Sequence, residues 1–160
     1  MKTINYRAEY EKIKGQYDLP PYDDFNAHME VSFLSYDIYD TDMMARFFRR
    51  MCERRLEGLI GFFQNLVQPS QQMMVLLEES QSLSEDQKNE ITKMVKKAMA
   101  LYRTCGLLNY TFDEQKECDK IKEIIAMLNE YQPFVDKLMS HLQQTWEKIT
   151  EKTESAHYFG

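Results

Sequence analysis

Residues 121–149 read IKEIIAMLNEYQPFVDKLMSHLQQTWEKI, and this stretch decides the fold. Ile121, Ile124, Leu128, Tyr131, Val135, Leu138, Leu142, Thr145 and Ile149 recur alternately three and four apart, with Thr145 the single polar member. That spacing places them on one stripe of an α-helix and sustains a heptad seam over four repeats. Pro133 falls inside the seam. A helix-interior proline removes one backbone hydrogen bond and kinks the rod, yet the seam keeps its phase across it. The spacing therefore predicts one long helix over 114–152, kinked near Pro133 and roughly 58 Å long if unbroken. Part of such a rod must overhang its neighbours, fold back, or meet another chain.

The residues just before it supply start and stop signals. Thr111-Phe112-Asp113-Glu114 has the spacing of a capping box. Ser84-Glu85-Asp86-Gln87 has the same form, the hydroxyl accepting from a first-turn amide while Gln87 reaches back. The stripe after it is Ile91, Met94, Val95, Ala98, Leu101, Tyr102 and Cys105, and Gly106 suits a left-handed helix end. Another long stripe runs through Met44, Phe47, Phe48, Met51, Cys52, Leu59, Phe62, Phe63 and Leu66. Asp40 or Thr41 would cap it and Pro69 would end it, giving a helix over 42–67 of roughly 39 Å. Ser70 would then cap a short helix carrying Met73, Met74, Leu76 and Leu77, closing near Ser82.

The N-terminal quarter is less regular. Tyr6, Tyr10, Ile13 and Tyr17 share a helix face, with Gly15 weakening its end, and Pro20-Pro21 must stop that helix. Residues 19–40 show no sustained helical period. Val31, Phe33, Tyr36 and Ile38 alternate with polar residues after a slip, which suits a strap or a short strand. A lone strand would have no partner here, so an arm lying on a helical body is the expectation.

Composition sets the class. With 160 residues, 43% apolar and 29% charged, the chain can bury one core. Only 5 Gly and 4 Pro argue against a turn-rich sandwich or barrel. The fold expected is all-α: an antiparallel bundle of four to five helices with an extended N-terminal arm. It forms a single domain over 1–160, made of a helix (1–17), an acidic aromatic arm (18–40), the bundle (41–152) and a tail (153–160). The helix of 1–17 or that of 70–82 would fill the fourth side. No stretch has signal-peptide or membrane-spanning length, the longest apolar run being Met73 to Leu77. Three cysteines, Cys52, Cys105 and Cys118, cannot all pair within one chain and lie near apolar helix faces, so buried thiols in a reducing, cytoplasmic setting are expected.

Three features invite functional readings. Arg46, Arg49, Arg50, Arg54 and Arg55 are five of the seven arginines in the chain. Guanidinium forks suit phosphate, carboxylate and backbone carbonyls, so this helix could meet nucleic acid, an anionic ligand or a protein. It could equally pair within the molecule, since Asp18, Asp23, Asp24, Glu30, Asp37, Asp40 and Asp42 precede it. The net charge of −6 argues against non-specific binding to nucleic acid or an anionic membrane by the molecule as a whole, leaving only a local basic patch to do so. The second feature is the arm, where Tyr17, Tyr22, Phe25, Phe33, Tyr36 and Tyr39 lie among those acids, as a recognition arm or as a cover for the bundle. The third is spare apolar surface. Met-rich stretches can form adaptable binding faces or fill cores, and Trp146 and Ile149 sit near the end of the long helix, where a second copy would cover them.

Catalytic signatures are missing. His28, His141 and His157 are scattered, without the spacing of a di-iron or zinc helix. No nucleophile elbow, P-loop or dinucleotide fingerprint occurs. Glu114, Glu117, Asp119 and Glu123 could in principle hold a divalent ion, but Lys116, Lys120 and Lys122 interleave them as on a solvated face. His141 lies just off the seam, facing solvent or a partner. No catalytic, cofactor-binding or metal residues are assigned. The reading is a non-catalytic helical interaction module that contacts a protein partner or a second copy of itself, with no membrane and no cofactor. Its surface would draw on Arg46, Arg49, Arg50, Arg54, Arg55, Tyr22, Tyr36, Tyr39 and Trp146. The alternatives are nucleic-acid or phosphate-ligand binding through the Arg46–Arg55 helix, and an enzyme with a dispersed site.

Overall fold

The computed structural model describes residues 4–29, 43–70 and 74–157, the last six of these by backbone alone. Six helices and no strand occur among the described residues: α1 (Tyr6–Tyr17), α2 (Tyr22–Met29), α3 (Met44–Val67), α4 (Met74–Ser82), α5 (Glu85–Leu108) and α6 (Glu114–His157). The all-α expectation holds.

The body is built from α3, α5 and α6, each packed on the other two. Arg49 of α3 reaches Asn109 just past α5, while Phe63 of α3 shares a cleft with Ile91 near the start of α5. These two helices are therefore antiparallel. Lys97 of α5 bonds Glu130 of α6, and Arg46 of α3 bonds Glu117 of α6, so α6 returns alongside α3. The seam predicted from sequence is the contact stripe of α6. Ile121, Ile124, Leu128, Leu138 and Leu142 are buried, and Tyr131 and Val135 pack at the edge.

With 44 residues α6 is about 66 Å long, against about 36 Å for the 24 residues of α3 or α5. It is one helix through Pro133. Its second half is accompanied by α4 rather than left bare: Trp146 Nε1 donates to Glu79 Oε1 at 2.8 Å, and His141 Nε2 lies 3.0 Å from the carbonyl of Ser82. Trp146, expected under a second copy, and His141, expected to face solvent or a partner, are thus half-buried and bonded within the chain.

At the other end α1 and α2 cover α3 and the first half of α6. Tyr10, Phe25 and Phe48 are fully buried with ring centroids 4.8–5.4 Å apart, and Tyr22 meets Tyr10 edge-on at 5.5 Å. Such pairs add about 0.5–1.5 kcal/mol each beyond the area they bury. The Tyr10 hydroxyl donates to the carbonyl of Pro20 at 3.0 Å, so the polar atom of this fully buried ring is satisfied.

The structure corrects the expected arm. Its first part is a helix, α2, in which Pro21 precedes the first turn and its carbonyl accepts from Phe25 N at 3.1 Å. The proline pair that stops α1 therefore also opens α2, because a missing N–H costs nothing at a helix start. The proposed strap at Val31–Ile38 and the caps Asp40 and Thr41 lie outside the described residues. Residue 43 precedes α3 without a side-chain cap bond.

Helix ends also depart from expectation in two places. Ser84 and Gln87 form the predicted capping box, with both reciprocal bonds present at 3.2 and 2.9 Å. Gly106, by contrast, is not a left-handed cap; it lies within α5, which continues to Leu108. The single left-handed residue among those described is Asp18, which ends α1 at φ 52°. The second box is replaced by a simple cap, Asp113 Oδ1 accepting from Lys116 N at 3.2 Å.

Candidate functional site

The arginine helix splits into two groups with different environments. Arg49 is fully buried, and so is Glu117 on α6. Arg49 Nε donates to Glu117 Oε2 at 2.6 Å, its Nη1 to Glu53 Oε2, and its Nη2 to Asn109 Oδ1 at 2.7 Å. Arg46 Nε donates to the other oxygen, Glu117 Oε1, at 3.0 Å. Arg46 Nη2 donates to the backbone carbonyls of Leu108 and Thr111, and its guanidinium lies 5.0 Å from the centre of the Phe112 ring.

The chemistry explains why the fold tolerates these charges. A carboxylate offers two oxygens and here each meets its own guanidinium, so neither charge is buried alone. Every buried side-chain nitrogen and oxygen among the described residues has a partner. Arg46 also supplies a donor to the last carbonyl of α5, Leu108, which has no partner within that helix, and to Thr111 in the turn that follows. It does the work that Gly106 was expected to do. Glu117 is accordingly no metal ligand; among the described residues no group of acids, histidines and cysteines could hold a metal ion.

Sequence reasoning missed the role of Glu117. Its neighbours Lys116 and Lys120 made the whole turn look solvated, and only the tertiary approach of α3 buries it. Of the acids that precede α3 in sequence, the three described ones do not pair with it. Asp23 pairs with Arg7 at 3.3 Å, and Asp18 and Asp24 make no ion pair with α3. Glu30, Asp37, Asp40 and Asp42 lie outside the described residues, as do Tyr36 and Tyr39.

Arg50, Arg54 and Arg55 remain exposed on α3. Of the other candidate surface residues, Tyr22 is buried in the aromatic cluster and Trp146 is held by Glu79. The three cysteines are buried and free. Burial pushes the Cys105 thiol up to about 11 and that of Cys118 up to about 12, and raises Cys52 as well. Protonated thiols of this kind are poor nucleophiles.

Two other surfaces emerge that periodicity did not single out. One is a cleft of about 400 Å³ lined by Phe62 of α3, Glu79 of α4, and Met139, Ser140, Leu142, Gln143 and Trp146 of α6. Phe62 and Met139 in its lining are exposed, and Met74, Val75 and Leu77 are exposed on α4. The other is the turn between α5 and α6, where Leu107, Tyr110 and Phe112 stand exposed above the arginine network. Besides these two, a groove of about 340 Å³ between α3 and α5 is lined by Phe63, Val67, Ile91, Val95, Lys96 and Met99.

No family model matches this chain, and neither a curated protein nor a solved structure matches it significantly.

Proposed function

We propose that this protein is a non-catalytic helical interaction module, and that its contact face is the flank formed by α4 with the adjoining sides of α3 and α6. The observation that carries this reading is the concentration of exposed apolar side chains there. Met74 is 75% exposed and Val75 58%, and Leu77 on α4, Phe62 on α3 and Met139 on α6 are exposed too. Only Ser80 of α4 is buried. A nine-residue helix is marginal by itself, and one that turns its aliphatic residues outward gains little from its own core. A cleft with Phe62, Met139 and Leu142 in its wall suits an amphipathic helix laid into it, since methionine adapts its shape to the side chains it meets.

The nucleic-acid alternative keeps less support, because Arg46 and Arg49 are committed to Glu117. The occupant of the cleft is a second copy of this chain or another protein, and one experiment separates the cases. Sedimentation over about 1–200 μM would be combined with binding of the apolar dye ANS, for the wild type and for Val75→Glu with Met139→Glu. A dimer that the double variant dissociates identifies a second copy. A monomer whose dye binding the double variant abolishes identifies a face kept for another protein. A monomer with no dye binding, or with dye binding equal in the variant, overturns the reading.

A further inference from the structure

The groove between α3 and α5 holds its apolar side chains differently from the α4 flank. Phe63 and Ile91 are buried in it, and Val67, Val95 and Met99 are half-buried against the core. None of the five stands out into solvent, whereas Met74 and Val75 on α4 do. Protruding apolar side chains suit a protein partner. A recess of about 340 Å³ with an apolar lining is of small-molecule size. That lining extends from Ile91 to Met99, about 12 Å along α5, enough for a chain laid lengthwise.

The polar part of the lining is Gln64, Gln68, Thr92 and Lys96. The Thr92 hydroxyl donates to the carbonyl of Lys88 at 2.8 Å. The side chains of Gln64, Gln68 and Lys96 make no hydrogen bond or ion pair among the described residues. Lys96 is the one charge in the lining. Its neighbours on α5 are matched, Lys88 with Glu85, Lys93 with Glu90 and Lys97 with Glu130. The α3 side carries no charge from Gly58 to Ser70, nor do residues 71–73. Glu57 precedes Gln64 and Arg103 follows Lys96, each by about 10 Å of helix, and the two offset one another. Asp86 is about 15 Å from Lys96 along α5, beyond the screening length of about 8 Å at physiological salt. Glu78 and Glu79 on α4, and Glu30 next to α2, belong to helices that pack on α3 and α6. Asp37, Asp40 and Asp42 come within roughly 20 Å of chain before Met43, and Phe63 is about 30 Å farther along α3. An unmatched ammonium is thus left beside an apolar recess.

We propose that this groove binds a small apolar carboxylate of the fatty-acid kind, its chain along Val67, Ile91, Val95 and Met99 and its headgroup at Lys96. A carboxylate only accepts hydrogen bonds, and the ammonium of Lys96 with the amide groups of Gln64 and Gln68 supplies donors. One unmatched cation balances one negative charge, whereas a phosphate brings nearly two. An alkylammonium would meet Lys96 as a like charge.

The test is titration of the full chain, its methyl groups isotope-labelled for NMR, with octanoate, decanoate, decanol and decyltrimethylammonium. A ligand of this size in an open groove binds with about millimolar strength. Decanoate should shift the methyl signals of Val67, Ile91, Val95 and Met99. Each half-buried methylene contributes about twofold, so decanoate should bind about fourfold more tightly than octanoate. A screened ion pair at an exposed lysine contributes about threefold, so decanol, or decanoate with Lys96→Gln, should bind that much more weakly. Lys96→Arg should restore wild-type binding. Lys96→Glu with Gln64→Glu should weaken decanoate binding by roughly tenfold or more, since two like charges then face the headgroup. Both side chains are exposed, so helicity by circular dichroism should match wild type. Val75→Glu with Met139→Glu should leave decanoate binding intact, which separates this site from the α4 flank. The absence of methyl shifts at about 10 mM decanoate would overturn the proposal. So would equal binding of decyltrimethylammonium, or shifts centred on Val75, Leu77 and Met139. A dimer that Lys96→Glu dissociates would also overturn it, by giving the groove to a second copy.

Discussion

At its N-terminal end α3 is held by directed polar bonds, the buried pair of Arg49 and Glu117 with Arg46, Glu53 and Asn109 around it. At its C-terminal end it lies against α4, whose only buried residue is Ser80 and whose Met74, Val75 and Leu77 are exposed. The two ends bury side chains in opposite ways. Charged groups in a low-dielectric core demand specific partners, and so they fix the register of α3 against α6 and against the end of α5. The α4 end buries no large apolar side chain of that helix, so those side chains stay available. The arginines that looked like a binding surface in sequence are partly architecture. The surplus apolar surface lies where no charged motif marks it.

The largest test of this contrast is Glu117→Ala. Removing the carboxylate leaves the buried Arg49 guanidinium with only Glu53 and Asn109, and Arg46 with carbonyls alone. Breaking a buried pair in this way costs about 3–5 kcal/mol, and chemical denaturation should show that loss. Replacing Arg49 by Met together with Glu117 by Leu should recover most of it, because the charge and its desolvation leave together. A loss under about 1 kcal/mol for Glu117→Ala would mean that the N-terminal end is held by its aromatic cluster instead.

A smaller effect of opposite sign is expected in the middle of α3. Gly58 and Gly61 are exposed within the helix, and a Cβ at either position would meet nothing within 4 Å. Glycine in a helix interior is less favourable than alanine by about 0.8–1.0 kcal/mol. Gly58→Ala with Gly61→Ala should therefore stabilise the protein by about 1.5–2 kcal/mol in the same denaturation assay, without touching either end. Destabilisation would show that another part of the molecule approaches the helix backbone there.

The legibility of the sequence follows the same division. The seam from Ile121 to Ile149 and the Ser84–Gln87 box could be read because each is local: a period along one helix, or bonds spanning four residues. Helix α2 was not read because two turns with Tyr22, Phe25 and Met29 are too short to establish a period. Gly106 misled because the end of α5 is satisfied from outside, by an arginine sixty residues earlier in the chain. Glu117 was hidden for the same reason: nothing within its own turn distinguishes a solvated carboxylate from one about to be buried under two arginines. The α5–α6 tip could have been noticed. Leu107 and Tyr110 fall off the stripe that ends at Cys105, and apolar residues out of phase beside a turn are candidates for an exposed tip.

The smallest predicted effect concerns the polar end at acid pH. The Asp113 carboxylate is held below its ordinary value, first by the backbone amide of Lys116 and then by its ammonium. A carboxylate that releases its proton more readily when folded stabilises the fold fully above the unfolded value, ~3.9. That contribution is lost as pH falls through the lower, folded value. Because the group is exposed, solvent screens it and the effect is small. Asparagine caps a helix about as well as aspartate but carries no charge. Asp113→Asn should therefore remove a modest part of the charge contribution at neutral pH and none of it once aspartate is protonated. Thermal melts of the two proteins should differ slightly at pH 7 and converge as pH drops below about 3. Melts that stay parallel across this range would show that Asp113 acts at the start of α6 through its hydrogen bond alone, leaving the acid sensitivity of this end to the network beneath it.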